Sequence, residues 1–435
     1  MEPKEKKQKL DTSSEIIASP SLSKTHLKKK KTKKQKIRES QVITSSSLSN
    51  NKDLVITSPS LENIDVGKAM KKQNDLAIFL TGLVISSVAK NTNFVFSPAS
   101  INAVLTMVAA SSGDEESREL RSFILSFLKS SSTDELNAVF REIASTVLVD
   151  GSKKGGPKIA VVNGVWMEKS LSINPSSKDL FKKFFKAAFT QVDFRSKAEE
   201  VRMEVNSWAS SHTNGLIKDL LPHGSVTSLT NRIYGSALYF KGAWEKKFSK
   251  SMTKHKPFYL LNGTSVSVPF MSSSEDQYIE AYDGFKVLRL PYRQGRDDTN
   301  GNFSMYFYLP DKKGKLDNLF KRMTSTPGFL DIHSPRRRVK VGKFRIPKFK
   351  IEFGFEASSV FNDFDLDVSL YQKALIEIDE EGTEAYTATV FCSGYVGCAL
   401  KKTLDFVADH PFLFLIREEQ TGTVLFAGQI FDPSA

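Results

Sequence analysis

Side chains suited to nucleophilic or metal chemistry are few in this chain: two cysteines and six histidines in 435 residues. His26, His212, His223, His255, His333 and His410 contain no i, i+4 pair and no metal-ligand spacing to a cysteine. Cys392 and Cys398, with five residues between them, match no zinc pattern either. The Gly-x-Ser-x-Gly elbow, the His-Glu-x-x-His pair and the Gly-x-x-x-x-Gly-Lys-Ser/Thr phosphate loop do not occur. Each histidine therefore reads as structural. No metal or other cofactor is expected, and the chain reads as something other than an enzyme.

The unusual spacing lies near the C-terminus. Leu375-Ile376-Glu377-Ile378-Asp379 alternates like a strand. Pro411–Ile416 and Val424–Gln429 read as buried strands joined by a turn at Thr421-Gly422. Between them, at about 380–402, runs a long stretch of small, β-compatible residues. A compact protein rarely keeps so long a connection without a use. It begins Glu380-Glu381-Gly382, where glycine gives the backbone freedom to pivot. If extended, Thr383, Ala385, Thr387 and Thr389 share one face, and Glu384, Tyr386 and Ala388 share the other.

The elements that must position this stretch fall into two halves. Asp75 is expected to open an amphipathic helix with Leu76, Phe79, Leu80 and Leu83 on one face. Phe94-Val95-Phe96 reads as a short strand running into Ser97 as an N-cap and Pro98 as the first helical residue. Ile101, Val104, Leu105 and Val108 then form one apolar face. Another helix follows Asn174-Pro175, with Phe181, Phe184, Phe185 and Ala188 expected on one face toward a core. Beyond residue 230, Ile233–Phe240, Val266–Phe270, Phe285–Leu290, Phe303–Leu309 and Val339–Ile346 read as strands, with a hairpin at Asn262-Gly263. Helices first and strands later imply an α+β domain over 61–435 rather than alternating βαβ units.

Residues 1–60 are different. They hold 14 Lys+Arg against 6 Asp+Glu, 17 Ser+Thr and no aromatic residue. Such a segment buries too little apolar surface to offset the entropy of ordering, and disorder is expected. Lys28, Lys29, Lys30, Lys31, Lys33, Lys34, Lys36 and Arg38 form a dense cationic run, read as a nuclear import signal for an import receptor. A solvated tail and nucleic-acid contact are the other readings. The remaining 375 residues carry 48 basic and 43 acidic side chains, so the domain itself is nearly charge-balanced. Two cysteines exclude a disulfide-stapled scaffold. No signal peptide and no membrane span is expected, which places the protein in the nucleus, the cytoplasm or both.

The domain resembles the serpin family, most closely its plant members, over about residues 65–435. The motifs are Asn93-Phe94-Val95-Phe96-Ser97-Pro98-Ala99-Ser100-Ile101, Ala237-Leu238-Tyr239-Phe240-Lys241-Gly242-Ala243-Trp244, Val268-Pro269-Phe270-Met271, Phe406-Val407-Ala408-Asp409-His410-Pro411-Phe412 and Leu425-Phe426-Ala427-Gly428-Gln429. The resemblance implies a serpin fold, with helices packed on three sheets and an exposed reactive-centre loop. It also implies a monomer that inhibits a serine protease, or a cysteine protease, as a suicide substrate. The loop is cut, an acyl-enzyme forms, and the loop inserts into the central sheet.

In that frame Glu380 to Thr389 form the hinge, and family spacing puts the reactive bond between Val396 and Gly397, with Tyr395–Val396 as the alternative. Val396 suits an elastase-like protease and Tyr395 a chymotrypsin-like one. Ser97, Ser100, Ser236 and Gln372 match the cluster beneath the opening sheet, where the family usually has Asn for Ser236 and His for Gln372. Tyr386 and Thr387 replace smaller residues, and Asn362–Leu370 is short. These departures make a non-inhibitory binding or regulatory member the alternative. Cys392 and Cys398 flank the bait bond as a redox lock or as two reduced thiols. Arg336-Arg337-Arg338 with Lys340 reads as a polyanion patch or a solvated strand edge.

Overall fold

In the computed structural model the described residues are 64–112, 118–296, 301–361, 369–383 and 403–435. The chain divides into two units, Met1–Thr57 and Ser58–Ala435. All described residues lie in the second. The basic run at 28–38, the boundary at 60/61, the hinge residues Glu384 to Thr389, both candidate reactive bonds and both cysteines lie outside them.

Three sheets carry the fold, as expected for this α+β class. The central one runs Phe349–Glu356, Ser369–Ile378, Arg232–Ala243, Lys158–Glu168, Ala188–Val192, with the two-residue strand Gly382–Thr383 added beside Arg232–Ala243. A seven-stranded sheet runs Phe94–Phe96, Val424–Ile430, Phe412–Glu418, Phe303–Pro310, Phe285–Pro291, Gln277–Tyr282, Arg338–Val339. A four-stranded sheet joins Leu404–Val407, Val341–Pro347, Ser265–Met271 and Lys254–Tyr259.

The central sheet is buried on both faces. On one face Phe240 meets Phe303 with ring centroids 5.4 Å apart, and Phe349 meets Phe414 at 5.5 Å. The other face is covered by the helix Phe194–His212, whose Trp208 packs edge-on against Trp166 at 4.8 Å. Ile233, Ala237 and Tyr371 pack into the same cluster. Strands sandwiched this way carry apolar residues at nearly every position, and Arg232–Ala243 does.

The helix expected from Asp75 begins nine residues earlier. It spans Val66–Ser87, capped by Asp65, whose carboxylate accepts from the Lys68 amide at 2.9 Å. Asp75 instead accepts from the Gly328 amide at 2.9 Å. The lysines at 68, 71 and 72 hid this first part in the sequence, although Ala69, Met70 and Gln73 are buried. Phe79 is 43% exposed, so it is not on the buried face. The Val339–Ile346 strand is split at Lys340 into Arg338–Val339 and Val341–Pro347, which belong to different sheets. The strands Lys158–Glu168 and Phe349–Glu356 were not anticipated. The first falls in the half read as helical and is interrupted by Asn163, whereas the second, with Phe349, Ile351, Phe353 and Phe355 alternating with polar residues or glycine, carries a strand signal that was passed over.

Candidate functional site

The stretch read as the hinge begins as a docked strand. Gly382 pairs antiparallel with Ala243, and Thr383 with Gly242. The backbone closes around them. Trp244 donates its amide to the Glu381 carbonyl at 2.9 Å and its indole Nε1 to the Asp379 carbonyl at 2.9 Å. Phe248 donates to the Glu380 carbonyl at 2.9 Å. Asp379 Oδ1 accepts from the amides of Glu381 at 2.8 Å and Gly382 at 3.2 Å, which makes the turn that reverses the chain.

Glycine is required at both faces of this contact. Gly382 has φ +143°, and a Cβ there would collide with the Gly242 carbonyl oxygen. A Cβ on Gly242 would fall 2.7 Å from the Tyr292 ring. Thr383, 3% exposed, turns inward, where its hydroxyl lies 2.9 Å from that of Tyr292. Tyr292 stacks on Trp244 at 4.7 Å. Burial pushes the Tyr292 hydroxyl well above the usual tyrosine range, so it stays protonated and available to that bond.

Two buried carboxylates hold the turn. Glu380 bonds Lys348 Nζ at 2.8 Å and the Thr253 hydroxyl at 2.7 Å. Burial alone would raise its pKa, but the Lys348 and Thr253 bonds outweigh that and hold it below the usual carboxylate range. Glu381 pairs with Lys247 at 2.5 Å and with Lys250 at 3.7 Å. These contacts tie the turn to the 247–253 segment and to Lys348, which lies between the strands Val341–Pro347 and Phe349–Glu356.

Below the dock lies a seam. Ser369–Ile378 and Arg232–Ala243 run parallel but pair only from Ser369↔Ile233 to Lys373↔Ala237. Above that level the two strands continue to Ile378 and Ala243 without pairing to each other. One row crosses the paired part: Asn163 sits opposite Ser236, and Ser236 opposite Gln372. Asn163 Oδ1, Ser236 Oγ and Gln372 Oε1 are buried without a hydrogen-bond partner among the described residues. Gln372 Nε2 reaches the Ser97 carbonyl at 3.4 Å, near the limit of a hydrogen bond. The Ser97 hydroxyl caps its helix by accepting from the Ser100 amide at 3.1 Å. Ser100, Ser236 and Gln372 line a cavity of about 10 Å³.

The structure therefore brings Ser97, Ser100, Ser236 and Gln372 together, and places Glu380, Glu381, Gly382 and Thr383 at the top of the seam. Asn163, Trp244, Tyr292, Thr253 and Lys348 were missed. Trp244 ends a motif quoted for the resemblance, so it was visible there. The other four are single residues whose role comes from strand register or a distant loop, and nothing local marks them.

A family model for Serpin (serine protease inhibitor) matches residues 71–370 and 363–433. The chain belongs to the serpin family. Among serpin relatives, "Probable non-inhibitory serpin-Z5" of Arabidopsis thaliana is 84% identical over 435 residues, covering 100% of both chains. "Serpin-Z2" of Arabidopsis thaliana is 66% identical over 436 residues, covering 100% of this chain and 98% of the relative. The solved structure of Arabidopsis AtSerpin1 in its native stressed conformation has 47% identity and a TM-score of 0.77, covering 86% of this chain and 100% of that one. These likenesses place the chain among the plant-type serpins. Among the described residues no helix is long and apolar enough to cross a membrane.

Proposed function

We propose that this serpin inhibits a serine protease, or a cysteine protease, as a suicide substrate. The observation that carries this reading is the docked pair Gly382–Thr383, which lies antiparallel on Arg232–Ala243 at the top of the unpaired part of the seam. An inserting strand has to start there, in that direction. The protease nucleophile attacks the Val396 carbonyl, the Gly397 amine leaves, and an acyl-enzyme forms. The freed loop then extends the strand that Gly382 begins.

Continuing the observed register gives the order of events. Glu384 to Thr387 would lie opposite Lys241 to Leu238, where the two strands do not pair. Ala388 onward must part the five pairs from Lys373↔Ala237 down to Ser369↔Ile233. One ladder is lost there and two are made, so each step favours insertion by about 1 kcal/mol per added bond. The inward set Thr383, Ala385, Thr387 and Thr389 continues the facing of Thr383. Thr389 would land opposite Ser236, where a hydroxyl finds the unpartnered Ser236 and Gln372 atoms. Tyr386 would fall on the opposite face.

A second reading has its own support. The relative at 84% identity is named probable non-inhibitory, and Tyr386 with Thr387 adds bulk where insertion must be quick. In this reading the loop is cut without trapping, and the protein serves as a binding or regulatory member. Incubation with elastase-, chymotrypsin- and papain-like proteases separates the two. An SDS-stable complex supports trapping; quantitative cleavage at 395–397 with no complex supports the second reading. The run Lys28 to Arg38 is proposed as an import signal, and deleting residues 1–60 should move a fluorescent fusion out of the nucleus.

A further inference from the structure

Charge is unevenly spread over the four-stranded sheet of Leu404–Val407, Val341–Pro347, Ser265–Met271 and Lys254–Tyr259. Its strands carry Lys254, Lys256 and Lys343 at exposed positions and Arg345 at a half-buried one. Arg336, Arg337 and Lys340 are exposed just before Val341 and continue the run. Among the described residues none of these seven pairs with a carboxylate, whereas Arg338 and Lys348 alongside them hold Glu245 and Glu380. The carboxylates nearby already have partners. Asp405 accepts the Lys343 amide at 2.7 Å, Asp409 meets His410 Nδ1 at 2.9 Å, Asp331 pairs with Arg417, and Glu280 bonds the Tyr282 hydroxyl. Like charges gathered on one face repel one another, so the fold gains nothing from them, and an acidic partner would.

The position of the face says which partner. Leu404 donates its amide to the Lys340 carbonyl at 3.1 Å. The bond read as bait, Val396–Gly397, lies eight residues before Leu404, and so within about 29 Å of it. A protease domain of about 230 residues is on the order of 40 Å across. A protease seated on the bait therefore reaches this face. A groove of about 950 Å³ adjoins the run, with Leu404 and Val339 along it and Ile332 62% exposed. Apolar surface beside cations suits a protein partner better than a polyanion, which has no apolar side chain to place there.

We propose that this basic face is a second docking surface for the target protease, and that it selects a protease whose surface beside its active site is acidic. The inference rests on reading the loop as protease bait. The loop sets which bond is cut, and the face sets how fast that protease arrives.

The test uses the full-length protein with chymotrypsin and with succinylated chymotrypsin, whose lysines have become carboxylates. Each is normalised to its activity on a small chromogenic substrate. The readout is the second-order rate of loop cutting at 395–397, counted whether or not an SDS-stable complex forms, so a failure of trapping and a failure of this surface are read separately. The succinylated enzyme should cut faster by roughly tenfold or more at low salt, and the advantage should shrink as salt is raised. Arg337→Gln with Lys343→Gln should remove most of the advantage. Lys182→Gln with Lys183→Gln makes the same change of charge on the exposed side of another helix and should keep it. Equal rates for the two enzymes, or an equal loss in both double variants, would overturn the proposal. So would dextran sulfate that binds the parent but not the Arg337/Lys343 variant while the two enzymes cut alike, since the face would then serve a polyanion.

Discussion

The hydroxyls of Tyr292 and Thr383 lie 2.9 Å apart in a fully buried setting, and this bond fastens Thr383 to the residue that follows the strand Phe285–Pro291. The tyrosine is held from behind by its stack on Trp244 at 4.7 Å. Tyr292→Phe keeps the ring and removes the hydroxyl, leaving Thr383 unpartnered. A loss of about 1 kcal/mol in stability is expected, with faster hydrogen exchange confined to residues 379–383. Unchanged exchange there would show that the bond does not hold the hinge.

Gly382→Ala places a methyl against the Gly242 carbonyl at φ +143°. The docked strand should be expelled at a cost above about 1 kcal/mol. Limited proteolysis should then cut within 380–383, where the parent protein is protected. A parent-like digestion pattern would contradict the docking geometry.

Glu380 sets a pH limit on the dock. Its folded pKa lies below the ordinary value of 4.5 because Lys348 and Thr253 bind the charged form. Its contribution is therefore complete above that ordinary value and fades as pH falls through the depressed one. Glu380→Gln should flatten the acid limb of the stability curve and lower stability at pH 7. If parent and variant lost stability in parallel on acidification, the Glu380 contacts would not be the cause.

Ser236→Ala removes a buried hydroxyl that has no partner among the described residues. Most core substitutions destabilise, but this one should be neutral or stabilising by up to about 1 kcal/mol. Urea unfolding checks it through a shifted midpoint at unchanged slope. A loss above about 1 kcal/mol would mean that Ser236 makes a bond in solution.

Much of this was legible before the structure. Cap chemistry at Ser97-Pro98 and the turn at Asn262-Gly263 are local signals, and both elements form where they were expected. Runs of β-branched and aromatic residues bounded by Gly, Pro, Asn or Asp located most strands after residue 230. Two kinds of feature were not legible. The start of the first helix hides among lysines whose neighbours Ala69 and Met70 are buried, because burial depends on the far side of the fold. The row Asn163–Ser236–Gln372 exists only through strand register. The family resemblance named two of its members, but not Asn163, and not that Asn163 Oδ1, Ser236 Oγ and Gln372 Oε1 have no hydrogen-bond partner among the described residues.

The most direct measurement compares intact protein with protein cut within the loop by elastase or chymotrypsin, following thermal unfolding of each. Insertion from Gly382 adds about ten ladder bonds, roughly 10 kcal/mol, and should raise Tm on the order of 10 °C or more. A cut protein that melts with the intact one would contradict strand insertion.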